Sequence, residues 1–393
     1  MKPSTITSGQ ESKKASYKVP FGTVSITTKA RKLINEALER NWVTRGQYVK
    51  EFEERFAKLF GVQYAVAVSS GTDANALACA ALYDFGARRG DEVIVPALTF
   101  VATGNAVFQS GLKPVFVDVT RETLNIDVTK IEKAITKNTR AIMPVHLMGK
   151  PADMDSIRAI ARKHKLVVIE DAAEAHGAEY KKEKVGAIGD MACFSLYAAH
   201  IITTIEGGIV ITNNAKMADA VRSLRNHGIE GKFTFKRIGF SAKMNELEAA
   251  VGLGNIKIFH KILEKRRRNV LYLIKGFERF NKYFITLNEE AHEKLGPHAF
   301  SIILKSGLKF TKDEFVSCLD AEGIDSRNLF YSIPTQCASY SFLGFKKGDF
   351  KEAEYCSDHG THIGCHQDLE IPQLDHVVNT VEKFLKSKGY KVS

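Results

Sequence analysis

Seven short apolar runs between residues 64 and 213 alternate with stretches of helical period. They are "YAVAVS", "DEVIVP", "KPVFVDV", "RAIMPVHL", "KLVVIED", "MACFSL" and "GIVITN". A run apolar at nearly every position reads as a strand buried on both faces, and parallel strands need helical crossovers to join them. The intervening "DANALACAALYDFG", "TFVATGNAVFQSG" and "MDSIRAIARKHK" supply such crossovers. The expectation is an α/β fold with a mostly parallel central sheet covered on both faces. Two amphipathic helices precede it. One places Ala30, Leu33, Ile34, Ala37 and Leu38 on a stripe, and the other does the same with Val49, Phe52, Phe56 and Leu59.

Beyond residue 244 the alternation gives way to one long helix, "MNELEAAVGLGNIKIFHKILEKRRRNVLYLIKGFERF". A strand ("HAFSIILK"), a helix ("TKDEFVSCLDAEG") and a closing helix ("QLDHVVNTVEKFLKSKG") follow. With 393 residues to pack, more than one core is expected. The reading is a polar arm over 1–19, a large domain over 20–264 and a smaller C-terminal α+β domain over 265–393. The arm lacks the apolar centre of a signal peptide, and no apolar run reaches the ~18 residues of a membrane span, so a cytoplasmic protein is expected.

Charge narrows the partners. The net charge is +11, which suits a small anionic substrate. No basic-aromatic module accompanies it, which argues against nucleic acid. The densest basic run, "EKRRRN" (264–269), reads as a solvated helix face. Six scattered cysteines make no disulfide framework. In "CSDHGTHIGCH", Cys356, His359, His362 and Cys365 follow at steps of three, but helical steps of three drift by about 60° and carry the ligands apart. No metal is expected.

Three stretches carry chemistry. In "VSSGTDANALA" a strand ends at a Ser-Ser-Gly turn and a helix starts near Thr72. Its free amides, approached closely at Gly71, form either a phosphate cradle or an ordinary strand-to-helix turn. In "VIEDAAEAHGA", Asp171 stands at the C-terminal end of a buried strand, where ligands of α/β sheets bind. It is either a helix-capping carboxylate or the partner of a buried cationic heteroatom. In "SLYAAHIITTIEGG" a strand delivers Ser195, a loop carries His200, and a Gly-Gly turn leads back into a strand.

The order "SGTDA … PALTFVATGNAV … EDAAEAHGA … CFSLYAAH…EGG … RNHG … GFSAKMNELEAAVG" resembles the DegT/DnrJ/EryC/StrS family of nucleotide-sugar aminotransferases, from about residue 20 to about residue 385. The resemblance implies the pyridoxal-phosphate fold of type I, the aspartate-aminotransferase-like fold. It implies that Gly71, Thr72 and Ser195 hold the cofactor phosphate and that Phe100 stacks on the ring. Asp171 would pair with the ring nitrogen, and Glu174 would lie near the ring hydroxyl. Ser241, Lys243 and Asn245 fall in a segment that reaches the neighbouring subunit's cofactor, although relatives usually carry Asn at 241 and often Arg at 243. Arg327, Lys243 and His227 are candidates for substrate contact, and a homodimer with shared sites is implied. His146 reads as a satisfied core or rim histidine, and Glu206 as a residue that shapes the turn.

The family's cofactor-holding lysine falls at His200, and no other lysine lies between 185 and 210. Imidazole forms no stable Schiff base but can act as a base near neutral pH. The exchange resembles the branch of sugar 3-dehydratases that use pyridoxamine phosphate. It implies loss of the carbon-3 hydroxyl from a nucleotide-linked 4-keto-6-deoxyhexose, with His200 as base. Glutamate would regenerate pyridoxamine phosphate from pyridoxal phosphate. An iron–sulfur subtype with a reductase partner is not expected, because "GIEGKFTFKRIG" after "RNH" holds no cysteine. The alternatives are a lysine-substituted aminotransferase scaffold and a non-catalytic cofactor-binding regulatory protein.

Overall fold

The computed structural model describes residues 17–330 and 333–392. Most of the expected polar arm, residues 1–16, lies outside them. The seven apolar runs form one sheet of seven strands: β1 (Tyr64–Val68), β2 (Glu92–Pro96), β3 (Lys113–Val117), β4 (Thr139–Ile142), β5 (Val167–Asp171), β6 (Met191–Ser195) and β7 (Gly208–Thr212). Their spatial order is β1-β7-β6-β5-β4-β2-β3. Every neighbouring pair from β6 to β3 is parallel, and β7 runs antiparallel to both β6 and β1. This is the mostly parallel sheet that the apolar runs predict, and with its helices it is the type I fold.

Helices α1 (Thr28–Glu39), α2 (Gln47–Phe60), α3 (Gly71–Ala81), α4 (Val101–Gln109), α5 (Met154–His164) and α6 (Ala215–Leu224) surround this sheet. Val49, Phe52 and Phe56 of α2 are buried as their spacing requires, whereas Leu38 of α1 is half exposed. The start of α2 is fixed from far along the chain. Its N-cap is Gly46, which has no side chain, and the buried Glu246 carboxylate accepts from the amides of Gly46, Tyr48 and Val49 at 2.9–3.0 Å. Glu246 opens α7 (Glu246–Phe277), the long helix, where Asn245 and Glu248 form a capping box.

A second sheet follows, with β8 (Phe284–Thr286), β9 (Ala299–Leu304), β10 (Ser326–Asn328) and β11 (Gly360–Gly364) in antiparallel order β8-β9-β11-β10. Helices α8 (Lys312–Ala321), α9 (Lys351–His359) and α10 (Ile371–Ser387) accompany it. A separate apolar cluster that includes Phe277, Phe284, Phe300, Phe315 and Val377 lies beneath this sheet. No helix among the described residues is long and apolar enough to cross a membrane.

Two sequence expectations need correction. The run "EKRRRN" is a solvated face only in part: Glu264 and Arg268 are exposed, but Arg266 and Asn269 are buried. Arg266 is almost completely buried; it donates to the carbonyls of Ala199 at 3.2 Å and His298 at 3.5 Å, and to Gln367 Oε1 at 3.1 Å. Arg267 pairs with Glu289, and Arg268 reaches the Leu369 carbonyl. A basic run on a long helix becomes interior when a second sheet folds back over it, which local periodicity does not register. In the Cys/His stretch, the helix holds only Cys356 and His359, while His362 belongs to β11 and Cys365 follows it. His359 is stacked on Tyr355 with ring centroids 4.1 Å apart.

The sheet edge near α3 is packed to contact. A Cβ added at Gly208 would meet the Ser70 carbonyl oxygen at 2.1 Å and the Gly71 nitrogen at 2.8 Å. Gly208→Ala is therefore expected to destabilise the protein by about 1–3 kcal/mol through forced backbone displacement. A urea midpoint equal to that of the parent would contradict this.

Candidate active site

The carboxyl ends of β1, β2, β5 and β6 lie on one edge of the sheet, and the chain delivers its candidate residues there. β1 leads through Ser69 and Ser70 into α3. The Ser70 hydroxyl caps that helix by accepting from the Asp73 amide at 3.0 Å. The amides of Gly71 and Thr72 start the helix and have no carbonyl of their own helix to bond. β6 brings Ser195 against them: a Cβ at Gly71 would lie 2.7 Å from Ser195 Cβ. Glycine at 71 is thus required by this close approach. Two amides at a helix N-terminus beside a hydroxyl make an anion cradle.

Asp171 ends β5 and is buried. Its Oδ2 accepts from Thr103 Oγ1 at 2.8 Å and Asn75 Nδ2 at 2.9 Å, and its Oδ1 accepts from the Ala173 amide at 3.3 Å. Thr99 in turn shares a hydrogen bond with Thr103 at 2.7 Å. Burial raises the Asp171 pKa against these bonds. Among the described residues no cationic side chain is hydrogen-bonded to it, and Asn75 Oδ1 beside it is enclosed without a partner. Such a carboxylate fits a protonated ring nitrogen. Asn75 and Thr103 were not expected from the sequence; their signal is positional, each lying within the first turn or two after a candidate residue (Gly71 or Phe100).

A cavity of about 460 Å³ opens next to this edge, lined by Phe100, Glu174, His200 and Arg327 together with Tyr197, His298 and His362. The structure thus brings four of the candidate residues to one cavity wall, while Gly71, Thr72, Asp171 and Ser195 belong to the adjoining sheet edge. Phe100 is 62% exposed and offers a ring face at the N-terminus of α4. Glu174 accepts from the Met148 amide at 2.7 Å, and burial pushes its carboxyl up to about 7. Phosphate cradle, buried aspartate and aromatic ring together fit pyridoxal or pyridoxamine phosphate. None of the described residues lining the cavity is a lysine.

His200 is half-buried in the loop after β6, and its Nδ1 is enclosed without a hydrogen-bond partner. Burial, then the His298 ring and the Arg266 guanidinium, hold its pKa well below the ordinary histidine value. The imidazole is therefore neutral and able to accept a proton at neutral pH. Its loop is fixed from several sides. Arg266 holds the Ala199 carbonyl, and the Thr204 amide donates to the Leu196 carbonyl at 2.8 Å. Ile205 sits at φ +77°, a costly region for a β-branched residue, and its amide donates to Thr203 Oγ1 at 2.8 Å.

Other candidates lie elsewhere. His227 is exposed at φ +61° in the loop after α6 and does not line the cavity. Lys243 Nζ donates to Ser241 Oγ at 3.0 Å, and the Lys243 backbone bridges to Val68 of β1. Asn245 Oδ1 is committed to capping α7, where it accepts from Leu247 and Glu248. His146 is fully buried and satisfied, with Nε2 3.1 Å from Glu170 Oε2 and Nδ1 accepting from Ala152, in keeping with a core histidine. The Glu206 carbonyl closes the turn with Thr204.

A profile of the DegT/DnrJ/EryC1/StrS aminotransferase family matches residues 24–382. The GDP-perosamine synthase of Caulobacter vibrioides is 38% identical over 365 residues, covering 90% of this chain and 95% of its own. The GDP-4-keto-6-deoxy-D-mannose 3-dehydratase of Yersinia pseudotuberculosis is 32% identical over 396 residues, covering 93% and 98%. The solved structure of the E. coli GDP-4-keto-6-deoxy-D-mannose-3-dehydratase with bound hydrated PLP matches with a TM-score of 0.86 at 28% identity, covering 93% of this chain and 99% of that one.

Two outcomes are expected. Because burial raises the Asp171 pKa, its ionised form weakens the cofactor-free protein as pH rises through the folded value. Asp171→Asn should therefore melt no lower than the parent at pH 7, yet lose the stabilisation of about 2.7 kcal/mol that a ligand at a hundredfold its Kd provides. Differential scanning fluorimetry with and without pyridoxal phosphate reads both. The His298 and His362 pKa values fall from 6.5 to about 3, mainly through burial. Neutral rings stabilise the fold above pH 6.5, and that contribution is lost as pH falls toward 3. The urea midpoint should therefore decline below pH 6.5, and decline less steeply in His362→Asn; parallel curves would contradict the assignment.

Proposed function

The chain belongs to the DegT/DnrJ/EryC1/StrS aminotransferase family of pyridoxal-phosphate-dependent, nucleotide-sugar-modifying enzymes, and from that premise we propose that it is a 3-dehydratase. It would remove the carbon-3 hydroxyl of a nucleotide-linked 4-keto-6-deoxyhexose, using pyridoxamine phosphate. The observation that carries this reading is His200: a neutral imidazole stands where the family's lysine would, and no described lysine lines the cavity.

Pyridoxamine phosphate supplies an amine for the sugar's keto group and a ring that accepts electrons. This chain's residues do the rest. The Gly71 and Thr72 amides and the Ser195 hydroxyl hold the phosphate. Asp171, oriented by Asn75 and Thr103, keeps the ring nitrogen protonated, and Phe100 covers a ring face. His200 would hold and move the proton: as a neutral base at the cavity wall it would accept one when the cofactor's amine has engaged the sugar, and would return one to the departing hydroxyl, which would leave as water. Arg327, stacked over Phe21 at 4.3 Å, offers its positive charge to the anionic sugar nucleotide. Glutamate is the proposed donor that recharges the cofactor.

We further propose a homodimer whose partner completes each site. Phe233, Phe235 and Ile238, in and just after the hairpin that follows α6, are exposed by 64–94%. An apolar projection of that kind suits a second copy. Ser241, Lys243 and Asn245 lie off this chain's own cavity wall, which supports a reading in which they serve a partner's site.

A specific observation favours a second reading: the 38% identical relative is named a synthase of GDP-perosamine, which points to transamination of a similar sugar. Product analysis separates the two. With pyridoxal phosphate, glutamate and a nucleotide-linked 4-keto-6-deoxyhexose, the expected product is a 3-deoxy-4-keto sugar; a 4-amino sugar would overturn the dehydratase reading. Borohydride should trap no adduct at residue 200 in the parent and should trap one in His200→Lys. His200→Asn should lower kcat by about 10²–10⁴-fold.

A further inference from the structure

The proposed reaction uses one histidine, yet four histidine rings meet where the two sheets face each other. His176 lies 5.8 Å from His200, and His200 lies 5.0 Å from His298, centroid to centroid. Phe21 packs edge-on against both His298, at 6.3 Å, and His362, at 5.2 Å. The Nδ1 atoms of His200, His298 and His362 are enclosed without partners, as are both ring nitrogens of His176. This is an unusual concentration of unsatisfied buried nitrogen.

His298 differs from the other two unassigned rings. Like His362 it lines the cavity, but it also stands directly before β9 and neighbours both the His200 ring and a carboxylate, with Nε2 4.0 Å from Glu174 Oε1. His176 packs instead on Phe194 at 5.0 Å, on the core side, and Phe21 stands against His362. Two imidazoles joined by an N–H···N bond of ~2.9 Å have centroids ~5 Å apart, since each nitrogen lies ~1.1 Å from its ring centre. The His200–His298 spacing meets that condition, and both rings carry an Nδ1 without a partner, so the pair is spaced for such a bond.

We propose that His298 is the relay and positioning partner of His200, fixing which ring nitrogen of His200 carries the proton and passing protons between His200 and Glu174. The inference rests on the reading of His200 as the base. As His200 takes a proton on the nitrogen facing the reacting carbon, it releases the proton on its other nitrogen to His298. His298 gives its own proton to Glu174, so no imidazole holds a net charge. The reverse passage returns one proton to the departing hydroxyl; protons balance and no electrons are transferred by the relay. The surroundings suit transit rather than storage. The charged and titratable groups around His298 are His200, Glu174, Arg266, Arg327, His362 and, farther off, His176; burial and the two guanidiniums keep the ring neutral, and Glu174, held at about 7, is the group that titrates near neutrality.

The test begins with cofactor-free, full-length protein labelled with ¹⁵N-histidine. In the parent, His200 should show a single tautomer, one ring nitrogen protonated and the other not. His298→Phe should show mixed tautomers, and His298→Gln, whose carbonyl can accept the same bond, should restore one. In turnover assays His298→Phe should lose about 10- to 100-fold in kcat with KM within about twofold, and its pH–rate profile should lose the limb near pH 7 that ionisation of Glu174 produces. Glu174→Gln should lose the same limb while His200 keeps a single tautomer, which holds the inference open to refutation if His298→Phe does not fold. An unchanged His200 tautomer together with an unchanged pH limb in folded His298→Phe would overturn the relay. If the parent makes an amino sugar instead, the dehydratase reading fails, while the tautomer measurement and the pH dependence of the glutamate half-reaction still judge the relay.

Discussion

The buried carboxylate of Asp171 is the constraint around which the site is arranged. An anion at the end of a central strand, out of water, is tolerable only if its oxygens are bonded and its charge meets a counter-charge. Thr103 of α4, Asn75 of α3 and the Ala173 amide supply the bonds. Each of these ties a different crossover to the same sheet edge, so satisfying one acid also sets where α3 and α4 begin. The start of α3 then faces Ser195, and the start of α4 carries Phe100. The anion-accepting helix start and the aromatic face thus stand beside the acid, and in the proposed reading the missing counter-charge is what a protonated pyridine would provide.

The second constraint is Arg266. A guanidinium buried in the middle of a long helix must find carbonyls, and it finds one in the loop of His200, one just ahead of β9, and the side chain of Gln367. Leaving buried polar groups unmade costs roughly 1–3 kcal/mol each, so the loop, the helix and the second sheet are coupled through one side chain. The same charge lies close enough to depress the pKa of His200 and His298. A structural tie and an electrostatic setting of the proposed base come from one residue.

The fold was largely legible because its strands are apolar at nearly every position and its helices are amphipathic, two signals carried by adjacent residues. Gly71, Asp171 and Ser195 stood out in the sequence for a related reason: each lies at a strand end or just after one, where α/β sheets gather their ligands; Phe100 and Glu174 were singled out only by the family resemblance. What stayed hidden depends on contacts between residues remote in sequence. Arg266 looks like a solvent charge until Ala199 and His298 are brought beside it. Glu246 looks like a helix residue until it caps α2 from 197–200 residues away. His298 and His362, some 100–160 residues beyond His200, carry no local pattern that distinguishes them from any buried histidine. Asn75 and Thr103 sit in stretches already singled out, but only the three-dimensional position of Asp171 shows what they bond.

These surroundings also bear on why a histidine, rather than an amine, suits position 200. A lysine there would place an ammonium in a pocket lined by Arg327, with the buried Arg266 guanidinium close behind its loop, and the near carboxylate, Glu174, is itself held at about 7 and so is only partly ionised at neutral pH. An ammonium would be disfavoured both by desolvation and by like charge, with weak compensation. A neutral imidazole avoids that cost and still offers one nitrogen to accept a proton and another to give one up. An amine in this position serves best when it is consumed in a covalent link to the cofactor; an imidazole serves when the cofactor is held by its phosphate, ring nitrogen and ring face alone. In the proposed reading, the cradle at Gly71 and Thr72, Asp171 and Phe100 would be the three supports such non-covalent holding needs, and the neutral base beside them would then be free to move protons.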